Sequence, residues 1–143
     1  MTTPASVARK LIEEGFNNGD LGVAAELTAA DCVEHQDFGP GHPDGPDGVV
    51  SVISSLRRAF SDFRLEIEDL AVDRDMVWLR MTATGTNDGP FMGHPPTGRR
   101  IHVPVFDALR VRGGRVVEHW GVPDRLGVLF QLGLVTPPAR GGA

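Results

Sequence analysis

The sequence predicts an α+β fold in which helices precede an antiparallel sheet. Apolar residues recur at helical spacing in the first 60 residues, a two-residue period takes over from Phe63, and strands and helices do not alternate as a parallel sheet requires. The chain has 143 residues, enough for one domain around one core. We therefore expect a single domain over residues 1–143, with its core at about 5–134 and a flexible tail at 135–143.

Three segments have the spacing of amphipathic helices: 5–18, about 21–29 and 48–60. Pro4 suits the first turn of the first helix, and Gly19 can end it in the left-handed conformation. Asp20 and Asp47 are expected to cap the second and third helices, because their carboxylates can accept hydrogen bonds from first-turn N–H groups.

Strand patterns follow from the alternation of apolar and polar residues. They cover residues 32–38, 63–67, 76–86, 99–111 and 115–122, and a short helical segment, DRLGVLFQLG, comes after them. The stretches 39–48 and 87–98 are rich in glycine and proline and are expected to be loops. We expect the three helices to cover a curved antiparallel sheet and to leave a largely apolar pocket between the two layers.

The hairpin turn at 113–114 decides which side chains face that pocket. A two-residue turn would bring Glu118 to the apolar face. A three-residue turn that begins at Arg112 would instead make Asp107 and His119 cross-strand neighbours on that face and turn Glu118 away. We favour the three-residue turn because it leaves the other charged side chains on the outside.

Composition argues against several classes of function. The net charge of −5 does not suit a nucleic-acid partner, and no stretch approaches the length of a membrane span. Cys32 is the only cysteine, so no internal disulfide can form, and Lys10 is the only lysine, which disfavours Schiff-base chemistry. The HExxH and CxxC spacings of metal sites are absent. We expect a cytoplasmic protein with no metal, no cofactor and no membrane or nucleic-acid partner.

Ionisable residues in or near the apolar strands are candidates for an active site. An aspartate at position 107 on an apolar face is costly unless it is paired or protonated, which makes an Asp107–His119 pair a candidate site. His35 ends the first strand pattern and is a second candidate. His42 and His94 lie in the two loops, where they could border the pocket mouth.

Several segments together resemble a known family. The segments FNNGDL, VEH, GTNDGPFMGHPPTGRRI, FDALRVRGGRVVEHW and DRLGVLFQLG are similar to the SnoaL-like polyketide cyclases (aldol and ester cyclases) of the nuclear transport factor 2-like superfamily, over about residues 5–134. The resemblance implies a cone-shaped α+β fold, also called cystatin-like, that usually dimerises through the open sheet face. It also implies an aldol closure by an aspartate, without metal or cofactor.

The resemblance also suggests roles. His35 falls where the related ketosteroid isomerase has its base carboxylate, and Asp107 where that enzyme has the protonated acid of its oxyanion hole. Asp124, in HWGVPD, fits the end motif of the cyclases, and Asn87 stands where the family usually has the histidine of GTH. We expect His35 or His119 to act as base and Asp107 or Asp124 as acid. Candidates for contact with substrate are Trp120, Phe16, Trp78, His94 and Phe91.

These observations favour a cofactor-independent cyclase that acts on a hydrophobic small molecule such as a polyketide intermediate, in a homodimer. A non-catalytic ligand-binding or dimerising scaffold is the first alternative, and it predicts a filled cone with Asp107 in a surface ion pair. An epoxide hydrolase or isomerase of the same fold is the second. Epoxide opening predicts an arginine, Arg80 or Arg110, between two inward carboxylates.

Overall fold

The computed structural model describes residues 2–141, so Met1 and residues 142 and 143 of the predicted tail lie outside the described residues. The elements follow in the order α1 (Pro4–Lys10), a π-helix (Leu11–Asn17), α2 (Leu21–Glu26), β1 (Thr28–Glu34), α3 (Gly45–Ala59), β2 (Arg64–Asp73), β3 (Met76–Thr86), β4 (Arg100–Arg112), β5 (Arg115–Pro123) and α4 (Arg125–Gln131). The predicted α+β class is confirmed. Within residues 2–141, however, four helical segments precede β2 instead of three.

The sheet has five strands in the order β1-β5-β4-β3-β2. The predicted antiparallel pairing is confirmed for β2 to β5, but β1 joins the sheet parallel to β5, so the sheet as a whole is mixed. Strand β1 also begins earlier than predicted: Thr28 and Ala29 are buried, and Thr28 pairs with Val116. The alternation of a strand reports which face is buried but not which strand lies beside it, so the parallel pairing had no local signal.

The first predicted helix is divided into an α-helical and a π-helical part. Thr3 and Ser6 form a reciprocal capping box at its start, and Pro4 occupies the first turn. After Leu11 the backbone widens into the π-helix, which ends with Asn18 N–H bonded to the carbonyl of Glu13. The wider turn belongs to the segment that faces the interior of the fold.

Helix α3 begins earlier than predicted. Its N-cap is Asp44, not Asp47, although the Asp44 side chain makes no capping hydrogen bond. Pro46 in the first turn favours this earlier start, since its fixed φ angle is helical.

The core lies between the helices and the inner face of the sheet. Phe60, Ile53, Met81, Val77 and Val103 are almost fully buried there. Alternate residues of β3 and β4 point into this layer, as the two-residue period predicts. No helix within residues 2–141 is long and apolar enough to cross a membrane.

The β4–β5 hairpin combines features of the two predicted turns. The turn has two residues, Gly113 and Gly114, both with positive φ angles, so the three-residue turn is wrong. Val117 is then an extra residue in β5 without a partner of its own in β4, and pairing resumes with Arg110 opposite Glu118. This bulge shifts the register by one residue and yields the distribution of faces that was expected from the longer turn.

Candidate active site

Three ionisable side chains meet on the inner face of the sheet, one each from β1, β4 and β5. Nδ1 of His119 lies 2.6 Å from Oε1 of Glu34, and Nε2 lies 3.1 Å from Oδ2 of Asp107. The strand register explains this arrangement. Parallel pairing sets Glu34 beside His119, and His119 is opposite Leu109, two residues along the same face from Asp107. The imidazole therefore bridges two carboxylates.

The environment of His119 favours its protonated form. Burial by itself lowers the pKa of an imidazole, but the hydrogen bonds to Asp107 and Glu34 and their charges outweigh burial and raise the pKa of His119 from 6.5 to about 9. At neutral pH both ring nitrogens therefore carry protons and donate to the two carboxylates. The ring acts as a cation between them and has no free lone pair with which to accept a proton.

A small, mostly apolar cavity opens onto this cluster. Its volume is about 70 Å³, and Leu11, Phe16, Val49 and Leu109 are among the side chains that form its walls. The side chain of Asp107 also lines it and is only 15% exposed. Within residues 2–141 the buried Oδ1 of Asp107 has no hydrogen-bond partner. A buried acceptor without a hydrogen bond lowers the stability of the fold unless a bound molecule donates to it. Oδ1 is therefore the atom of the cluster that is available to a ligand.

Gly121 provides the space in which the cluster is packed. A side chain at this position would begin 2.9 Å from Cε1 of His119 and 3.0 Å from Oδ1 of Asp107, and it would overlap the side-chain oxygen of Gln36. Any larger residue would displace at least one of these groups, so close packing requires glycine here.

The loop between β1 and α3 contributes one side of the cavity. Phe38 and His42 both line it, with their ring centroids 4.7 Å apart and their planes tilted by 34°. A side chain at Gly48, in α3, would overlap the carbonyl of Pro43 and begin 3.2 Å from Nε2 of His42. The absence of that side chain lets the loop pack directly against the start of α3.

The opposite face of the sheet carries a separate polar network. His35 Nε2 lies 2.7 Å from Glu118, whose other oxygen accepts a hydrogen bond from Arg110 at 3.0 Å. These two hydrogen bonds hold the pKa of Glu118 below its usual value. The ring of His35 stacks on Trp120, with 4.7 Å between centroids. His35 is therefore exposed on the outer face, away from the Asp107–His119 cluster.

The other predicted residues are dispersed. Asp124 is exposed, and its side chain caps α4 by accepting from the N–H of Gly127 at 2.8 Å. Trp78 borders a wide groove on the outer face of the sheet, together with Trp120. Phe91 packs edge-on against the core residue Phe60, and His94 is exposed in the loop after β3. Among the predicted substrate contacts, Phe16 alone lines the cavity within residues 2–141.

Glu34 is the site residue that the sequence did not single out. The alternation of β1 places it on the same face as Cys32, a buried residue whose thiol pKa is raised to about 11 mainly by burial. A cysteine two residues before a glutamate was therefore a usable signal for the inward face. His35, the next residue, was chosen as the candidate instead, and its side chain lies on the opposite face of the strand.

The structure also bears on the alternatives. A cavity of about 70 Å³ remains between the helices and the sheet, and Asp107 is paired with His119 in the interior and not in a surface ion pair, in contrast to the expectation for a scaffold. Arg110 is on the outer face, and Arg80 is half-exposed near Asp69, so His119 and not an arginine lies between the two inward carboxylates. Within residues 2–141 no three His, Cys, Asp or Glu side chains are grouped as metal ligands.

Comparison with known proteins gives a consistent picture. The sequence matches the SnoaL-like polyketide cyclase family over residues 6–132. It is 27% identical to aklanonic acid methyl ester cyclase DauD of Streptomyces sp. (strain C5), over 99% of this chain and 88% of that protein. It is 26% identical to the nogalonic acid methyl ester cyclase of Streptomyces nogalater, over 88% and 95% of the two chains.

A solved structure agrees with these sequence matches. IdmH of Streptomyces antibioticus, a candidate polyketide cyclase, superposes with a TM-score of 0.79 at 37% identity, covering 92% of this chain and 99% of its own. The match in fold and the match in sequence thus extend over nearly the same part of the chain, and the chain belongs to the SnoaL-like polyketide cyclase family.

Proposed function

We propose that the protein closes a ring in a hydrophobic polyketide intermediate by an intramolecular aldol reaction, with Asp107 as the acid–base group. The observation that carries the proposal is that Asp107 lines an apolar cavity while its buried Oδ1 has no hydrogen-bond partner within residues 2–141. The similarity to two methyl ester cyclases supports the class of substrate.

The reaction needs one group that both takes and returns a proton. Oδ1 of Asp107 removes a proton from a carbon that lies between two carbonyl groups, because such a carbon is acidic enough for a carboxylate base. The resulting enolate attacks a ketone carbonyl in the same molecule and forms the new C–C bond. The alkoxide that results takes the proton back from Asp107, so the product is an isomer of the substrate.

His119 and Glu34 support Asp107 in this scheme. The protonated imidazole donates to Oδ2 of Asp107, which fixes the carboxylate and leaves its other oxygen, Oδ1, without a partner within residues 2–141. Glu34 holds the second ring nitrogen and thereby orients the ring. The hydrogen bonds favour Asp107 as the base and His119 as its cationic partner, the reverse of the roles that the sequence suggested.

The test compares the two aspartates that the sequence left as alternatives. Aklanonic acid methyl ester and nogalonic acid methyl ester are offered to the wild type, Asp107→Asn and Asp124→Asn, and ring closure is followed by absorbance and mass spectrometry. We expect Asp107→Asn to lower kcat by on the order of 10³-fold, the range for loss of a general acid–base group. Asp124→Asn should keep most of the activity, because asparagine also caps helices.

Two results would contradict the proposal. One is a wild type that closes the ring of neither ester. The other is an Asp107→Asn variant that is folded, as judged by circular dichroism, and as active as the wild type.

We further propose that two copies of the chain associate through the outer face of the sheet, as the family resemblance implies. Trp78 and Phe106 are each 54% exposed there, and Val122 is 70% exposed. They border a groove of about 500 Å³. Contiguous apolar surface with exposed tryptophan is characteristic of an interface more than of a free surface.

A further inference from the structure

The cavity contains few polar groups, and most of them are already engaged. The polar side chains in its lining are Thr28, Cys32, Glu34, His42, Asp107 and His119. Glu34 and His119 are hydrogen-bonded to each other, and the hydroxyl of Thr28 donates to the carbonyl of Ala24 at 2.9 Å. The thiol of Cys32 is neutral and a weak donor.

Two polar groups of the lining are available to a ligand and carry the inference. Oδ1 of Asp107 is a buried acceptor without a hydrogen-bond partner within residues 2–141. The imidazole of His42 makes no hydrogen bond to any residue between 2 and 141. A carboxylate oxygen and an imidazole in an apolar cavity suit a ligand that brings an acidic proton for the first and an oxygen acceptor for the second.

The position of His42 is defined by packing. Its ring lies against Phe38, and the missing side chain of Gly48 makes room for Nε2 and for the preceding loop. Two glycines that precede His42 in the loop, Gly39 and Gly41, have positive φ angles and bring the chain around to this position. The ring is thus held in the wall of the cavity by contacts on two sides.

We propose that His42 is a further catalytic residue, which donates a hydrogen bond from its imidazole to the carbonyl oxygen that becomes the alkoxide. This inference rests on the aldol reaction proposed above. As Asp107 takes the proton from carbon and the C–C bond forms, negative charge moves onto that oxygen. The N–H of His42 stabilises this charge, the proton on Asp107 then neutralises the alkoxide, and His42 keeps its own proton throughout.

The experiment distinguishes the effect of the N–H donor of His42 from the effect of its ring. His42→Phe keeps a planar ring against Phe38 but removes the donor, whereas His42→Gln keeps an N–H donor without the ring. His102, exposed on the outer face, provides matched controls in His102→Phe and His102→Gln. All variants are assayed on a methyl ester that the wild type cyclises, with kcat and KM measured separately.

We expect His42→Phe to lower kcat by on the order of 10²- to 10³-fold with little change in KM, as for loss of an oxyanion donor. His42→Gln should recover at least a tenth of the wild-type kcat, and both His102 variants should resemble the wild type.

Equal losses in His42→Phe and His42→Gln, or a loss confined to KM, would overturn the role of the N–H group. So would wild-type kcat in His42→Phe, which would leave the function of Asp107 intact. A wild type without turnover would instead remove the proposed function and this inference together.

Discussion

His119 illustrates how neighbours set the chemistry of a single side chain. A histidine in water is half protonated near neutral pH and makes a good general base. Here two carboxylates hold both of its nitrogens and raise its pKa to about 9, so that it is a cation at neutral pH. The oxygen of the cluster that has no hydrogen-bond partner within residues 2–141, Oδ1 of Asp107, is therefore the one that we propose as its reactive atom.

The protonation of His119 should make stability depend on pH. Because the folded-state pKa lies above the unfolded value, the stabilisation is fully present below pH 6.5 and is lost as the pH rises through 9. The loss is on the order of 3 kcal/mol. Urea unfolding of the wild type between pH 6 and pH 10 should show this decline, and His119→Gln should remove most of it.

His102→Gln is the control for that measurement, since His102 is exposed and distant from the cluster. It should keep the pH dependence of the wild type. An unchanged decline in His119→Gln would contradict the protonated state assigned to His119.

At the level of residues, sequence reasoning reached about half of the site. Asp107 and His119 were paired because an aspartate on an apolar face needs a partner. Glu34 was missed because its strand was read without its neighbour β5, whose parallel pairing brings Glu34 to His119. Local alternation assigns a side chain to a face but does not identify the side chains next to it.

At the level of elements, Asn87 organises the loop that follows β3. It is 1% exposed, and its Nδ2 donates to the carbonyls of Ala59 and Gly89. Its Oδ1 accepts from both the N–H and the hydroxyl of Thr97. The residue that replaces the family's usual histidine therefore has a structural role here, in tying the loop to the end of α3.

Asn87→Asp should destabilise the protein. The aspartate has the same shape but loses both donors, so two carbonyl oxygens would face a carboxylate oxygen in a buried site. We expect the free energy of unfolding to fall by about 2–4 kcal/mol in urea titrations.

Asn18→Asp makes the same chemical change at an exposed position and should alter the free energy of unfolding by less than about 0.5 kcal/mol. Equal effects of the two substitutions would show that the hydrogen bonds of Asn87 are not important for stability.

The positions of the helices and strands were largely predictable from the sequence, but the irregularities within them were not. Periodicity located the helices and the strands to within a few residues. The bulge at Val117 is a single extra residue in β5, and the π-helix over Leu11–Asn17 is a change in hydrogen-bond spacing. The sequence patterns around both are the same as in regular elements. The bulge matters most, since it turns His119 inward.

At the level of the whole molecule, the two faces of the sheet differ in what they carry. The inner face holds the core and the cluster of Glu34, His119 and Asp107. The outer face exposes Trp78, Phe106 and Val122 and is the surface on which we propose the dimer. The family resemblance, and not the residue pattern, suggested that association.

If the chain dimerises as proposed, Trp78→Glu and Phe106→Glu should each yield a monomer, because each would bury a charge in the proposed interface. Light scattering coupled to size-exclusion chromatography measures the mass directly. Leu126→Glu, at a 55% exposed position on α4, is the control and should remain dimeric. A monomeric wild type, or dimers that persist in both sheet variants, would contradict this arrangement.

The size of the cavity has a consequence for how a substrate binds. A volume of about 70 Å³ accommodates only a few water molecules, whereas pockets for drug-sized ligands usually measure at least about 300 Å³. A substrate of the proposed reaction would therefore bind only if the wall that contains Phe38 and His42 moved outward to admit it and closed again, so that His42 could donate to the reacting oxygen. The apparent affinity would then equal the intrinsic affinity of the opened form reduced by the fraction of molecules that adopt it, so any substitution that stabilised the opened form would tighten binding without a new contact to the substrate.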